Sequence, residues 1–250
     1  MISKAKIKLI QSLKYKKYRE KHGVFVAEGV KTIKELLNSN IKVSEIFGLK
    51  EIFQEINFQP GEEITELNEN ELKKISFLST TANVLGIFEI PDYDISTSFQ
   101  TDFIIALDGV QDPGNLGTII RLADWYGLEK IVCSQNCVDV FNPKVIQSTM
   151  GSIARVKVFY IDLLPFLTQA KKNRYTIYGS FMAGESIYST SFSDRKILIM
   201  GSEGKGISNE VKKFVEKKIS IPSYFEGNNG PESLNVAIAS AIIISEMRRK

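Results

Sequence analysis

Three glycine-rich stretches hold the residues of this chain best suited to chemistry, and each directly follows a strand-like apolar run. The first is LDGVQDPGNLGTIIRLADWYG, Leu107–Gly127. Its Asp112-Pro113-Gly114-Asn115 run ends a strand sharply and opens a helix. Asn115 falls near the helix start, where it can cap, and Arg121 lies less than two turns further down. Taken alone, these are a cap and a surface charge. The second is ILIMGSEGKGIS, Ile197–Ser208, in which Gly201, Gly204 and Gly206 let backbone approach a ligand closely around Glu203. Taken alone, it is a tight turn with an exposed acid. The third is ISIPSYFEGNNGPESLNVAIASAIIISEMRR, Ile219–Arg249. A strand ends at Ile221-Pro222, and Ser233-Leu234-Asn235 opens a helix. A cap worth about 1 kcal/mol explains one polar residue there, but not two beside an apolar helix. Doubly wound sheets bind ligands outside the C-terminal ends of their strands, so all three stretches can meet at one site.

Several chemistries are struck out by the same residues. A phosphate-binding P-loop needs Gly five positions before the Gly204-Lys205 pair and Ser or Thr after it; Ile199 and Gly206 stand there instead. No GxGxxG dinucleotide fingerprint follows a strand. His22 is the single histidine and sits in a basic N-terminal segment, which leaves Ser-His or Cys-His catalysis without a base. Cys133 and Cys137 read as two small apolar side chains on or just after a strand, and a zinc site would need two more ligands. No metal is expected. No apolar run reaches the length of a membrane span, and the lysine-rich N-terminus lacks a signal-peptide core. The expected compartment is the cytoplasm. The net charge is only +3, but Lys4, Lys6, Lys8, Lys14, Lys16, Lys17, Arg19 and Lys21 crowd the first segment with Tyr15 and Tyr18 among them. Such a cluster suits a nucleic-acid backbone as well as it suits a solvated helix face.

The elements that must position these residues alternate between helix and strand. The spacing of Ile7, Ile10 and Leu13 predicts one helix over Ile2–Lys21. Val24–Ala27, Val43–Leu49, Ile64–Leu67 and Val84–Ile90 read as extended, with helices at Val30–Leu37, Lys50–Ile56 and Glu69–Ile75, the last capped by Asn68. Residues 91–101, PDYDISTSFQT, lose the pattern and read as a linker. Beyond it, strands are predicted at Phe103–Leu107, Lys130–Cys133, Val156–Ile161, Tyr175–Tyr178, Lys196–Met200 and Lys218–Ile221, and a helix from Ser233 to Arg248. Continuous apolar strands such as FIIAL and ILIM imply a parallel sheet covered on both faces. The expectation is an α/β chain in two domains, residues 1–95 and 102–250.

In order and spacing, NLGTIIR, GSEGKGIS and IP…ESLNVAIASAI resemble the three motifs of the SpoU (TrmH-like) family of SPOUT RNA methyltransferases. YKKYREKHGVFVAEGVKTIKELL resembles the substrate-binding domain that precedes the catalytic one in many members. The resemblance implies a SPOUT-type parallel sheet whose C-terminal segment threads a deep trefoil knot, an exception to the rule of unknotted chains. It implies an S-adenosylmethionine-dependent enzyme that methylates a ribose 2′-hydroxyl of RNA, working as a homodimer with the active site at the interface. The donor would be held by Gly201, Ser202, Glu203, Gly206, Ile221 and Leu234. The catalytic residues would be Arg121, Asn115, Glu203, Ser233 and Asn235. The N-terminal domain favours ribosomal RNA over transfer RNA; a transfer-RNA enzyme and a catalytically silent RNA-binding assembly factor on the same fold are the alternatives. One departure is visible: SYFEGNNGP, between Pro222 and Glu232, is longer than the resemblance leads one to expect.

The family proposal that the residue matching Arg121 is a general base conflicts with the persistence of the guanidinium charge, which a substrate phosphate would only strengthen. The expectation here is that Arg121 grips the phosphate and polarises the hydroxyl. Asn115 would orient Arg121 or the ribose, Glu203 would accept a hydrogen bond from Asn115 or the substrate, and Ser233 and Asn235 would shape the last loop.

Overall fold

The strands pair into two separate sheets, one in each of two units. The computed structural model describes residues 2–56, 63–94, 99, 101–225 and 232–249. Residues 95–98 and 100 of the expected linker, and 226–231 of the long loop before Glu232, lie outside the described residues.

The first unit opens with α1 (Lys4–Ser12) and α2 (Lys16–His22), followed by β1 (Val24–Glu28), α3 (Val30–Leu37), β2 (Val43–Gly48), β3 (Ile64–Glu66), α4 (Glu69–Ile75) and β4 (Val84–Glu89). A short 3-10 turn, Lys50–Gln54, lies between β2 and β3. The sheet order is β1-β4-β2-β3. β4 runs antiparallel to β1 and β2, while β2 and β3 are parallel. Ile10, Leu13, Val26, Phe47, Leu72 and Leu85 close the core. Asn68 caps α4 in a full capping box with Glu71, which satisfies helix N–H groups from both directions.

The single helix expected over Ile2–Lys21 is two helices. Arg19 explains the break. Its Nη1 donates to the carbonyls of Leu13 at 2.7 Å and Lys14 at 2.9 Å, the groups a continuous helix would have used. Its Nε and Nη2 donate to the Asp139 carboxylate. Arg19 is therefore buried, at 2% exposure, and leaves the basic cluster in which the sequence pattern placed it. Lys6 pairs with Glu45, whereas Lys4, Lys8, Lys14, Lys16, Lys17 and Lys21 remain exposed.

The second unit holds β5 (Phe103–Asp108), α5 (Pro113–Trp125) and β6 (Lys130–Ser134). α6 (Pro143–Thr149) comes next in the chain, and then β7 (Lys157–Ile161), α7 (Leu163–Lys172), β8 (Thr176–Ser186), β9 (Lys196–Gly201), α8 (Asn209–Lys212), β10 (Lys217–Ser220) and α9 (Val236–Arg248). The sheet order is β10-β8-β9-β5-β6-β7, with every pairing parallel. The chain proceeds outward from β5 to β7, then returns on the far side of β9. The order thus reverses between β5 and β9, where a doubly wound sheet opens its binding crevice. Ile104, Ala106, Val132, Ile177, Ile197 and Ile199 face α7 and its neighbours in the core.

β8 is longer than the predicted Tyr175–Tyr178. Its register with β10 jumps between Lys218, opposite Gly179, and Ile219, opposite Glu185. Ser180–Gly184 therefore arches out of the ladder. Gly184 permits the return, because a Cβ there would sit 2.7 Å from the Lys218 carbonyl oxygen. Cys133 and Cys137 are free and buried.

The units do not divide at one point. The first comprises Met1–Asp92 with Asp139–Arg155, and the second Tyr93–Val138 with Val156–Lys250. The continuous 102–250 block expected from the sequence pattern thus has an excursion between β6 and β7. That excursion contains α6, whose Val145 and Ile146 are buried, and Phe141, which packs on Phe25 at 4.8 Å between ring centres. Arg155 closes it with an ion pair to Glu35.

Candidate active site

α5 begins one residue after its cap. Asp112, not Asn115, is the N-cap, and its Oδ1 accepts from Asn115 N at 2.8 Å. Pro113 occupies the first turn, where a missing N–H costs nothing. Asn115 is thereby relieved of capping, and its side-chain amide is available for other contacts.

The turn after β9 is a miniature hairpin. Ser202 N donates to Gly206 O at 3.1 Å and Gly206 N to Ser202 O at 2.9 Å. Gly206 takes a φ of +64°, and a Cβ on Gly201 would stand 2.1 Å from Gly206 C. Only glycine at 201 lets the turn fold back this closely. The hairpin tip presents Glu203 to solvent.

Asn235 caps α9. Its Oδ1 accepts from Ala237 N at 2.9 Å and Ile238 N at 3.3 Å. With that oxygen committed, its Nδ2 points outward and donates to Asn115 Oδ1 at 2.9 Å. Asn115 must then turn its own Nδ2 the other way, and it donates to the Glu203 carboxylate. The cap sets the orientation of both amides, so a directional relay runs Asn235 to Asn115 to Glu203, one residue from each glycine-rich stretch.

Beside the relay lies a cavity of about 570 Å³. Gly201, Ser202, Glu203, Gly206, Ile221, Ser233 and Leu234 line it, with Met200 and Val236 supplying further apolar wall. Its size is that of a small-molecule site. Asn115 and Asn235 reach it through Glu203 rather than as lining. Arg121 stands apart. It is exposed, carries no side-chain hydrogen bond or ion pair among the described residues, and rises on the order of 9 Å along the helix from Asn115. One helical turn further on the same face is Trp125, 84% exposed.

Phe181 and Met182, from the arch in β8, also line the cavity, and Met182 is 70% exposed. Sequence reading passed over them. Gly179 and Gly184, flanking the segment, are the signal that a strand there would break.

A parallel doubly wound sheet with a glycine-walled cavity at its strand ends, and a carboxylate-amide relay on the rim, is the arrangement of an α/β protein that binds a small molecule. Comparison with known proteins narrows this. Residues 102–245 match the SpoU rRNA Methylase family, and residues 4–86 match the MRM3-like substrate binding domain. The chain is 30% identical over 244 residues to the 23S rRNA (guanosine(2553)-2′-O)-methyltransferase RlmP of Bacillus subtilis (strain 168), spanning 97% of this chain and 96% of that protein. A TrmH-family structure from Porphyromonas gingivalis superposes with a TM-score of 0.88 at 34% identity, covering 99% and 98% of the two chains. The AdoMet-bound rRNA methyltransferase of Sinorhizobium meliloti superposes at 0.86 with 27% identity, covering 99% and 95%. This chain belongs to the SpoU rRNA methylase family.

Proposed function

We propose that this chain transfers the methyl group of S-adenosylmethionine to a ribose 2′-hydroxyl of ribosomal RNA. The observation that carries the reading is the Asn235–Asn115–Glu203 relay at the rim of the glycine-lined cavity. The similarity to RlmP, named for 2′-O-methylation of 23S rRNA, supports it.

The cavity suits the donor. Met200, Ile221, Leu234 and Val236 offer apolar wall to an adenine ring, the crowded Gly201–Gly206 backbone admits close approach, and Glu203 and Glu232 complement a cationic ligand. Bound there, the donor supplies an already activated methyl group. The protein's task is to align and deprotonate a weak nucleophile, and alignment alone carries much of such a rate. Glu203, oriented by Asn115, is placed to receive a hydrogen bond from the ribose 2′-hydroxyl and to take its proton as the methyl group passes to the oxygen and the donor leaves as a neutral thioether. Arg121 holds the substrate phosphate and polarises the hydroxyl.

Arg121 shares its face of α5 with Trp125, and α9 beside it exposes Ile238 at 53%. A second copy of the chain covers this face in the present reading, which places Arg121 at the neighbouring copy's site. The exposed lysines around Tyr15, itself 59% exposed, form the RNA-facing surface of the first unit. In the same reading the last segment threads the family's trefoil knot and the enzyme works in the cytoplasm. Among the described residues no helix is long and apolar enough to cross a membrane.

The test is incubation with methyl-labelled donor and, separately, ribosomal RNA and transfer RNA, followed by alkaline hydrolysis. A methylated 2′-oxygen cannot attack the adjoining phosphate, so label is expected in alkali-resistant dinucleotides from ribosomal RNA. Label in mononucleotides would mean base methylation. Absence of label would favour a silent assembly factor, and label confined to transfer RNA would replace the substrate class.

A further inference from the structure

The structure points to a residue at the start of the first glycine-rich stretch to which the sequence pattern assigned no role, Asp108, the last residue of β5. Its side chain is buried, with the residue at 6% exposure, and among the described residues it has no ion-pair partner. A buried carboxylate without a counter-ion is costly unless hydrogen-bonded. Asp108 Oδ2 accepts from Ser208 N at 2.7 Å, a bond that spans 100 residues of chain.

The position of that bond matters. Asp108 lies opposite Gly201 at the sheet's reversal point between β5 and β9. The turn from Gly201 to Ser208 is thus fastened to β5 twice, by strand pairing at its start and by the Asp108 carboxylate at its end. Between the two fastenings lie Glu203 and the turn residues that wall the cavity. On its other side Asp108 begins the lead-in to α5. Gly109, at φ +75°, donates its N–H to Ser134 Oγ at 2.9 Å, Val110 O accepts from Val138 N at 2.9 Å, and Asp112 then caps the helix carrying Asn115. One buried carboxylate joins the turn that lines the cavity to the segment that delivers the relay.

We propose that Asp108 is a positioning residue that locks the Gly201–Ser208 turn to the start of the catalytic helix, so that donor affinity and methyl transfer fall together when its bond to Ser208 is broken. This rests on the methyltransferase reading above. Asp108 touches neither substrate nor donor in this role; it acts through Glu203 and the turn backbone.

The test compares D108A, D108N and S208P in the full-length chain. Ser208 has a φ of −63°, which proline adopts; S208P removes the donated N–H and sets a ring carbon where that hydrogen pointed, so the bond is lost and the Asp108 carboxylate must move off the turn. Calorimetric titration with S-adenosylhomocysteine reads the cavity, and single-turnover transfer to ribosomal RNA reads the chemistry. D108A and S208P are expected to weaken binding at least about tenfold and to slow transfer in parallel. D108N keeps an acceptor oxygen and is expected to stay within about threefold of the parent. R121A provides the contrast, losing transfer while keeping donor affinity. Parent-like binding and transfer in D108A or S208P would overturn the proposal, as would D108N failing as badly as D108A. Should D108A not fold, S208P and D108N decide the matter. A parent protein that neither binds S-adenosylhomocysteine nor transfers methyl would remove the functional reading itself, and this inference with it.

Discussion

At the scale of single residues, Asn235 separates stability from chemistry. It caps α9 through Oδ1 and feeds the relay through Nδ2. N235A loses both and is expected to cost about 1 kcal/mol of stability. N235D keeps the cap but has no amide to donate. The Nδ2 of Asn115 can then serve the new carboxylate or that of Glu203, not both. N235D is therefore expected to melt close to the parent temperature and to transfer methyl roughly tenfold more slowly or worse; equal activity would show the relay to be idle. A second residue-scale expectation concerns Cys137. The hydrogen bond from Cys133 is the largest influence and pulls the Cys137 thiol down to about 6, against the upward push of burial, while Cys133 is raised. Of the two, Cys137 is therefore the one biased toward its thiolate at neutral pH. Alkylation followed by peptide mapping should modify Cys137 at neutral pH, slow below pH 6 and spare Cys133; preferential modification of Cys133 would contradict this assignment.

At the scale of elements, the buried Arg19–Asp139 pair decides where the first helix ends. Replacing Arg19 with methionine leaves the Asp139 carboxylate without its partner and frees the carbonyls of Leu13 and Lys14. A loss of about 3 kcal/mol in chemical denaturation is expected, against almost none for exposed Lys16 or Lys17. Here the limits of sequence reading become physical. The strands ending at Leu107 and Met200 were legible because continuous apolar runs have one home, the middle of a parallel sheet. The break after Ser12 was not legible, since the carboxylate that draws Arg19 inward lies 120 residues away. Asn115, Glu203 and Asn235 could be named from their motifs, but their connection depends on which way two amides face. A capping bond formed only in the folded chain sets that. Asp108 carried no local signal, because it looks like the end of a strand until the turn from Gly201 closes over it.

At the scale of the whole molecule, the chain passes between its units three times, not once. Deleting residues 1–95 removes the partners of Phe141, Asp139 and Arg155, all within the excursion of 139–155. That truncation is expected to aggregate, whereas one that also replaces 139–155 with a short linker is expected to stay monodisperse; a well-behaved simple truncation would show the excursion to be self-sufficient. Oligomeric state is testable in the same spirit. W125D is expected to shift a dimer to monomer in sedimentation. Mixing donor-blind G201A with R121A chains should recover transfer that neither shows alone, because a mixed dimer has one pocket facing an intact Arg121 from its partner. No recovery would place Arg121 in its own chain's site.

The central claim is that backbone turns far apart in sequence build one donor cavity alongside a relay that serves the hydroxyl. Donor affinity of G201A and N115A, measured by calorimetry beside the parent, tests it most directly. A Cβ at 201 collides with Gly206 C at 2.1 Å, so G201A is expected to bind S-adenosylmethionine at least about a hundredfold more weakly, while N115A binds within a few-fold of the parent and transfers no methyl. Parent-like affinity in G201A would contradict the claim.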